Sequence, residues 1–287
     1  MKTNKFAAFI LSHGRPDNVI TYKTIKAAGY TGPIYIIVDN EDKTIERYVK
    51  NFGQENVIVF DKKAMADAID EANNFDNRKV IVHARNYCFI AARQLGLTHF
   101  IQLDDDYTNI HHRYESKDGT KLLMINVKNF NAVLDIYIDF LDATNFKSIA
   151  FAQGGDFIGG VNNPYVKYRP LMRKAMNTFI CRTDRPFEFI GAINEDVNTY
   201  TTLGGRGDLF GTIPMINIVQ KQTQSQKGGM TDVYQLSGTY VKSFHTVLMQ
   251  PASVKVAMMH SKNIRLHHLI NWNTTVPVII DEKYKKI

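Results

Sequence analysis

Three consecutive aspartates, Asp104, Asp105 and Asp106, close a short apolar run over residues 98–103. Such a run reads as a buried strand, and in open α/β sheets ligands sit at the carboxyl ends of the strands. If the chain stays extended there, Asp104 and Asp106 point the same way, because side chains alternate along a strand. Two convergent carboxylates repel unless a cation lies between them, and an all-oxygen ligand set suits Mg2+ or Mn2+. A divalent ion held this way typically carries a diphosphate. A lone Asp pair would read as a solvated turn, whereas three carboxylates ending a buried strand favour the metal. A second acidic pair, Glu195-Asp196, follows Asn194 just before a predicted helix over 197–203. By residue type alone, this pair also fits a capped helix start with acids in its first turn.

The elements that must position these carboxylates follow from the apolar pattern. Ahead of the aspartates, Tyr87, Ile90 and Ala91 recur at helical spacing, and Gly96 ends that helix where a left-handed cap is cheap. Strands are predicted over 5–11, 33–38 and 56–60, with helices opening at Pro16-Asp17 and covering 43–52. Strands alternating with helices at this spacing predict a parallel sheet with right-handed crossovers. Residues 62–76 read as a helix and then a loop. Farther on, Phe130, Leu134, Tyr137, Ile138 and Leu141 mark an amphipathic helix over 128–142. Strands are expected at 148–152, 175–181, 214–219 and 253–259, and a helix at 235–250. Glycines over 154–160 (GGDFIGG) would let backbone approach a ligand, but their spacing is not that of a dinucleotide site. His111 and His112 are adjacent and so do not converge on one ion. The polar stretch QKQTQSQKGG over 220–229 predicts a mobile loop.

A net charge of +7 and a pI near 9.2 favour acidic partners such as nucleic acid or nucleotide phosphates. Lys167, Arg169, Arg173 and Lys174, interleaved with Tyr165 and Tyr168, form the densest basic and aromatic patch, a mix suited to phosphates and stacked bases. The two cysteines, Cys88 and Cys181, stand in apolar contexts and read as reduced core thiols. No signal peptide or membrane-spanning run stands out, and the expected location is the cytoplasm. A chain of 287 residues can bury one large core or two small ones, and with no linker dividing it a single domain is expected over 1–287.

The segment HARN at 83–86 opening a helix, followed by Leu-Asp-Asp-Asp at 103–106 closing a strand, resembles the TET-associated glycosyltransferases. These are mostly phage-encoded enzymes of the GT-A fold, linked to sugar transfer onto hydroxymethylated pyrimidines in DNA. The resemblance implies an α/β, GT-A-like sheet, with a nucleotide-sugar half over 1–115 and an acceptor half over 116–287. It implies a UDP-sugar donor, Mn2+ or Mg2+ as cofactor, and DNA carrying 5-hydroxymethylcytosine or 5-hydroxymethyluracil as acceptor. The aspartates would be the family's form of the DxD signature, with Asp104 and Asp106 on the metal and Asp104 and Asp105 reaching the donor. Ser12 and Arg15 match the family's Ser-x-x-Arg loop, facing the nucleotide. Asp39, just past the second strand, would contact base or ribose. Arg85 and Asn86 would sit beside the donor, Arg85 offering a fork of donors to phosphate or sugar. Glu195-Asp196 matches the xED pattern, which makes Asp196 the general base, with Glu195 as runner-up. His260, at the end of the last predicted strand, is expected as a late metal ligand, in competition with His245, His267 and His268. The loop over 220–229 would be a lid. Two other readings stay open from the sequence. One is a GT-A transferase acting on a polysaccharide or protein, and the other is a non-catalytic nucleic-acid-binding relative.

Overall fold

Strand β1 (Phe6–Leu11) is buried along its whole length and carries no polar side chain, as a strand covered on both faces must. Its alternation splits the core into two layers. Phe6, Ala8 and Ile10 join one apolar cluster with Ile25, Phe130 and Leu141, while Ala7, Phe9 and Leu11 join another with Phe89, Phe100 and Phe179. The structure is a computed structural model and describes residues 5–69, 78, 80–163, 166, 172–221, 230–259 and 265–276.

Strands β2 (Ile34–Asp39) and β3 (Val57–Phe60) add in parallel on one side of β1, and β4 (His99–Asp104) adds in parallel on the other. The connections are α1 (Ile20–Ala27), α2 (Ile45–Phe52), and α3 (Lys62–Asp67) with α4 (Val82–Gln94). Helix α3 starts where Asp61 accepts the Ala64 N–H, an ordinary N-cap. The chain continues through β5 (Tyr107–Glu115), β6 (Leu122–Asn126), α5 (Phe130–Ala143), β7 (Phe146–Gln153), β8 (Phe179–Arg182), α6 (Glu195–Gly205) and β9 (Leu209–Gln220). All nine strands form one sheet in the order β3-β2-β1-β4-β8-β7-β9-β5-β6. Only β8 and β5 run against the others, so the sheet is mostly parallel in direction. A helix, α7 (Met230–Met249), then packs on a separate hairpin of β10 (Val254–Met259) and β11 (Arg265–Ile270), followed by the short α8 (Trp272–Thr275).

The structure differs from the sequence reading in several places, among them the unpredicted β11 and α8 and the strand expected at 175–181, which is confined to Phe179–Arg182. Helix α1 begins at Ile20, because 16–18 are taken up by a turn in which the Asn18 N–H donates to the Arg15 carbonyl. The ribbon β5–β6 at the sheet edge is an addition; only Tyr107 and Ile110 of β5 are buried, too few in its mixed polar sequence to advertise a strand. Chain 105–106 turns instead of staying extended, with β5 starting at Tyr107.

Candidate active site

The parallel register pairs Leu11 with Asp104, which sets the loop after β1 beside the aspartates. Asp105 is consumed by that loop. Ser12 Oγ donates to its Oδ2 at 2.6 Å and Arg15 Nη1 donates to its Oδ1 at 3.1 Å. The Tyr48 hydroxyl braces the same loop, 2.7 Å from Ser12 Oγ and accepting the Arg15 N–H at 2.9 Å. Ser12, Arg15 and Asp105 therefore line the cavity as a mutually bonded cradle.

Asp104 and Asp106 flank Asp105 and also line the cavity, although a turn, not strand alternation, brings them there. Burial pushes Asp104 up to about 7 against the pull of Arg85, and the charge of Asp106 pushes the same way. Asp106 is pushed up to about 6 by burial and by Asp105. These are crowded oxygens whose repulsion a divalent cation would relieve. Among the described residues, no set of three or more His, Cys, Asp or Glu side chains could hold an ion by itself. Mg2+ is usually held by one or two carboxylates plus substrate phosphates rather than in a protein cage, and this pair fits that pattern.

Arg85, on α4, is only 1% exposed. Its Nη2 donates to Asp104 Oδ1 at 3.0 Å and its Nε donates to Glu195 Oε1 at 2.8 Å. The guanidinium lies over the rings of Phe179 and Phe189. Burial disfavours its charge, but Asp104 and Glu195 outweigh that and raise its pKa. Two arms of the fork thus hold carboxylates and tie the aspartate strand to the start of α6, while Nη1 has no partner among the described residues and Arg85 lines the cavity. Asn86 departs further from expectation. It does not line the cavity, because its amide makes two hydrogen bonds to the backbone of Phe189, donating to the carbonyl at 2.9 Å and accepting the N–H at 2.7 Å.

Glu195 and Asp196 open α6, and both line the cavity. Asn194 does not cap the helix with its side chain. It sits in the left-handed region at φ 55°, and its amide donates to the Lys242 carbonyl and the Thr246 hydroxyl of α7. Glu195 is held by Arg85, whereas among the described residues Asp196 Oδ1 accepts just the adjacent Val197 N–H, at 2.7 Å. Burial and the neighbouring Glu195 raise the Asp196 pKa. A buried carboxylate of raised pKa without an arginine clamp is suited to take a proton.

At the other end, Asp39 closes β2 and meets His13 Nδ1 at 2.6 Å and Lys62 Nζ at 3.3 Å. Burial opposes its charge, but those partners hold its pKa below the ordinary value. His13 and Lys62 also line the cavity, and the sequence reading missed both. The only local signal was their position directly after strands, in the loop beside Ser12 and at the first turn of α3.

One cavity of about 910 Å3 spans this whole line, from Ser12 and Asp39 past the aspartates and Asp196 to Lys174, Lys242, His267 and His268. Arg173 pairs with Asp156, and Lys174 Nζ lies 2.9 Å from His268 Nε2 and 3.2 Å from His267 Nε2. With an ammonium at their Nε2 atoms, those imidazoles are placed as hydrogen-bond acceptors. His111 and His112 lie on β5 away from the cavity. His260, Tyr165, Lys167, Tyr168, Arg169 and residues 222–229 lie outside the described residues.

The strand ends of this sheet gather paired carboxylates, a loop cradle and a second acidic helix start around one long cavity, the form of an α/β enzyme site. The model of the TET-Associated Glycosyltransferase family matches residues 6–229, and the chain belongs to that family. It is a glycosyltransferase built on a mostly parallel α/β sheet. No curated protein matches it in sequence. Among solved structures, glucosyl-3-phosphoglycerate synthase from Mycobacterium tuberculosis, with Mn2+, UDP and phosphoglyceric acid, is similar at 7% identity and TM-score 0.46, over 96% of this chain and 88% of that one. The mannosyltransferase PcManGT from Pyrobaculum calidifontis, with GDP-Man and Mn2+, is similar at 11% identity and TM-score 0.48, over 85% and 62%. TarS (1–349) from S. aureus gives 11% and 0.40, over 74% and 60%. No helix among the described residues is long and apolar enough to cross a membrane.

Proposed function

We propose that this glycosyltransferase moves a sugar from a UDP-sugar to the hydroxymethyl group of 5-hydroxymethylcytosine or 5-hydroxymethyluracil in DNA. The observation that carries the reading is that one cavity is lined by both the Asp104–Asp106 pair and Asp196, a buried carboxylate with no arginine hydrogen-bonded to it among the described residues. In this reading Asp39, His13 and Lys62 receive the nucleoside, and the cradle of Ser12, Arg15 and Asp105 shapes the floor beside the diphosphate. Asp104 and Asp106 hold Mn2+ or Mg2+, which when bound supplies positive charge to the leaving diphosphate. Asp196 accepts the acceptor hydroxyl's proton as that oxygen bonds to the anomeric carbon. The bond from that carbon to the diphosphate oxygen breaks, and its electron pair leaves with the nucleoside diphosphate. One base and in-line attack favour inversion. Glu195, clamped by Arg85, serves as a positioning residue.

The DNA acceptor is supported by the family's association and by the net charge of +7. The same reading takes the chain as one domain working in the cytoplasm, that of the host if the protein is phage-encoded. The test is incubation with Mn2+ and UDP-sugars on hydroxymethylcytosine, hydroxymethyluracil and unmodified DNA, read by nucleoside mass spectrometry. A sugar mass gained by one modified nucleoside, and lost in Asp196→Asn, is the expected result. Donor hydrolysis with no nucleoside product on any DNA would refute the acceptor assignment.

A further inference from the structure

The far end of the cavity carries a lysine held in an unusual way. A partly buried structural lysine is ordinarily matched by a carboxylate. Lys174 instead faces the Nε2 atoms of two imidazoles, His268 at 2.9 Å and His267 at 3.2 Å. His268 is buried to 6% exposure, and its Nδ1 finds no partner among the described residues. Burial and then Lys174 and His267 push the His268 pKa down to about 2, so the ring is neutral and accepts from the ammonium. Two neutral acceptors can orient an ammonium without cancelling its charge. Two carboxylates act on Lys174 through space, Asp196 and then Asp156, which itself pairs with Arg173, and no ion pair joins Lys174 to a carboxylate among the described residues. Burial pushes Lys174 down to about 8, against the pull of Asp196 and Asp156 and with the push of Arg173 and Lys242. The backbone is fixed as well, since the Thr212 hydroxyl donates to the Lys174 carbonyl.

We propose that Lys174, oriented by His267 and His268 and supported by Lys242, forms a subsite for a phosphate group of the acceptor nucleotide. The inference rests on the reading of Asp196 as base, beside which the subsite lies in the same cavity. It adds that the acceptor is recognised as a nucleotide, through its phosphate, and not as a bare nucleoside or a neutral sugar. The family match ends at 229, so both imidazoles come from chain beyond the stretch that defines the family. Acceptor recognition is therefore built partly by the α7–β10–β11 segment. The shared chemistry is a phosphate ester, which a polynucleotide or a free mononucleotide could supply.

The test titrates inorganic phosphate into the full-length protein saturated with UDP and Mg2+, followed by phosphorus NMR. Binding that survives UDP saturation, and weakens about tenfold or more in Lys174→Gln, is expected for loss of one charge-assisted contact. Lys174→Arg, which keeps the charge, should stay within a few-fold of the parent, and UDP affinity checks that both variants are folded. Displacement of the phosphate by a hydroxymethylated 5′-mononucleotide, by a hydroxymethylated oligodeoxynucleotide, or by both identifies the source and sustains the proposal. Phosphate binding that UDP abolishes, that Lys174→Gln leaves unchanged, or that neither nucleotide displaces overturns it. The outcome is independent of sugar transfer: a protein that binds phosphate here but glycosylates no DNA would sink the acceptor assignment, not the subsite.

Discussion

The Arg85 bridge gives the sharpest test of how this site is held together. The guanidinium is fully buried and joins Asp104 at 3.0 Å to Glu195 at 2.8 Å, residues on different elements. Arg85→Met keeps much of the side-chain volume but leaves two carboxylates without their cation. Removing one member of a buried ion pair costs about 3–5 kcal/mol. Asp104 keeps some solvent contact, its side chain being 24% exposed, so the low end applies. A loss of about 3 kcal/mol in a chain of this size lowers the melting temperature by about 6–12 °C. The double-mutant cycle with Glu195→Gln isolates the bridge from the lost packing on Phe179 and Phe189. Removing the second charge should recover part of the loss, with a coupling of about 1–3 kcal/mol. Turnover should fall in Arg85→Lys as well, because an ammonium cannot span two carboxylates as a fork does. Thermal and urea denaturation of the four proteins measure this. Strict additivity, or an Arg85→Met variant within about 1 kcal/mol of the parent, would refute the bridge.

Asp104→Asn and Asp106→Asn should each weaken Mn2+ binding in the presence of UDP by about tenfold or more, read by titration calorimetry; equal affinity would remove them from the metal site. Asp196→Asn should cut turnover by about 10²–10⁴-fold while leaving UDP affinity near the parent value. His268 has a folded pKa pushed down from 6.5 to about 2. Its contribution to stability is therefore complete above pH 6.5 and is lost as pH falls towards 2, amounting to about 2 kcal/mol by pH 5. The stability gap between the parent and His268→Gln should shrink by that amount between pH 7 and pH 5; a constant gap would contradict a neutral buried ring. In Gly204→Ala the new Cβ would lie 2.2 Å from the Thr275 carbonyl oxygen of α8. Helix propensity alone would make this change favourable by about 1 kcal/mol, so a net loss of about 1–3 kcal/mol would mark overpacking, and a rise in melting temperature would mean α8 is not docked there.

Much of the sheet was legible because each of its early strands advertises itself locally. FAAFIL, IYIIV and FIQL are apolar on both faces, and each is followed by polar residues where the strand stops. The edge ribbon was not, since YTNIHHRYE is mostly polar and has no apolar period to read, and its partner β6 at the edge of the sheet is largely exposed. Helix α1 misled for a related reason. Pro16-Asp17 has the composition of a helix start, but a turn closed by the Arg15 carbonyl uses those positions first.

The site divides along the same line. Asp104 and Asp106 could be found because their signal lies within three residues. That Asp105 is tied down by Ser12 and Arg15 depends on the Leu11–Asp104 register, which brings together residues some ninety positions apart. Arg85 illustrates the limit most clearly. Its type and its place at a helix start suggest a phosphate ligand, and only the packing of α6 against the strand ends supplies Glu195, 110 residues later, to claim its fork. Lys174 shows the converse. In sequence it is one cation in a basic patch, and His267 and His268, more than ninety residues on, leave its charge unspent while fixing where it points. A local pattern can thus name a charged residue, but whether that charge is held for the fold or for a ligand is decided by partners the pattern does not contain.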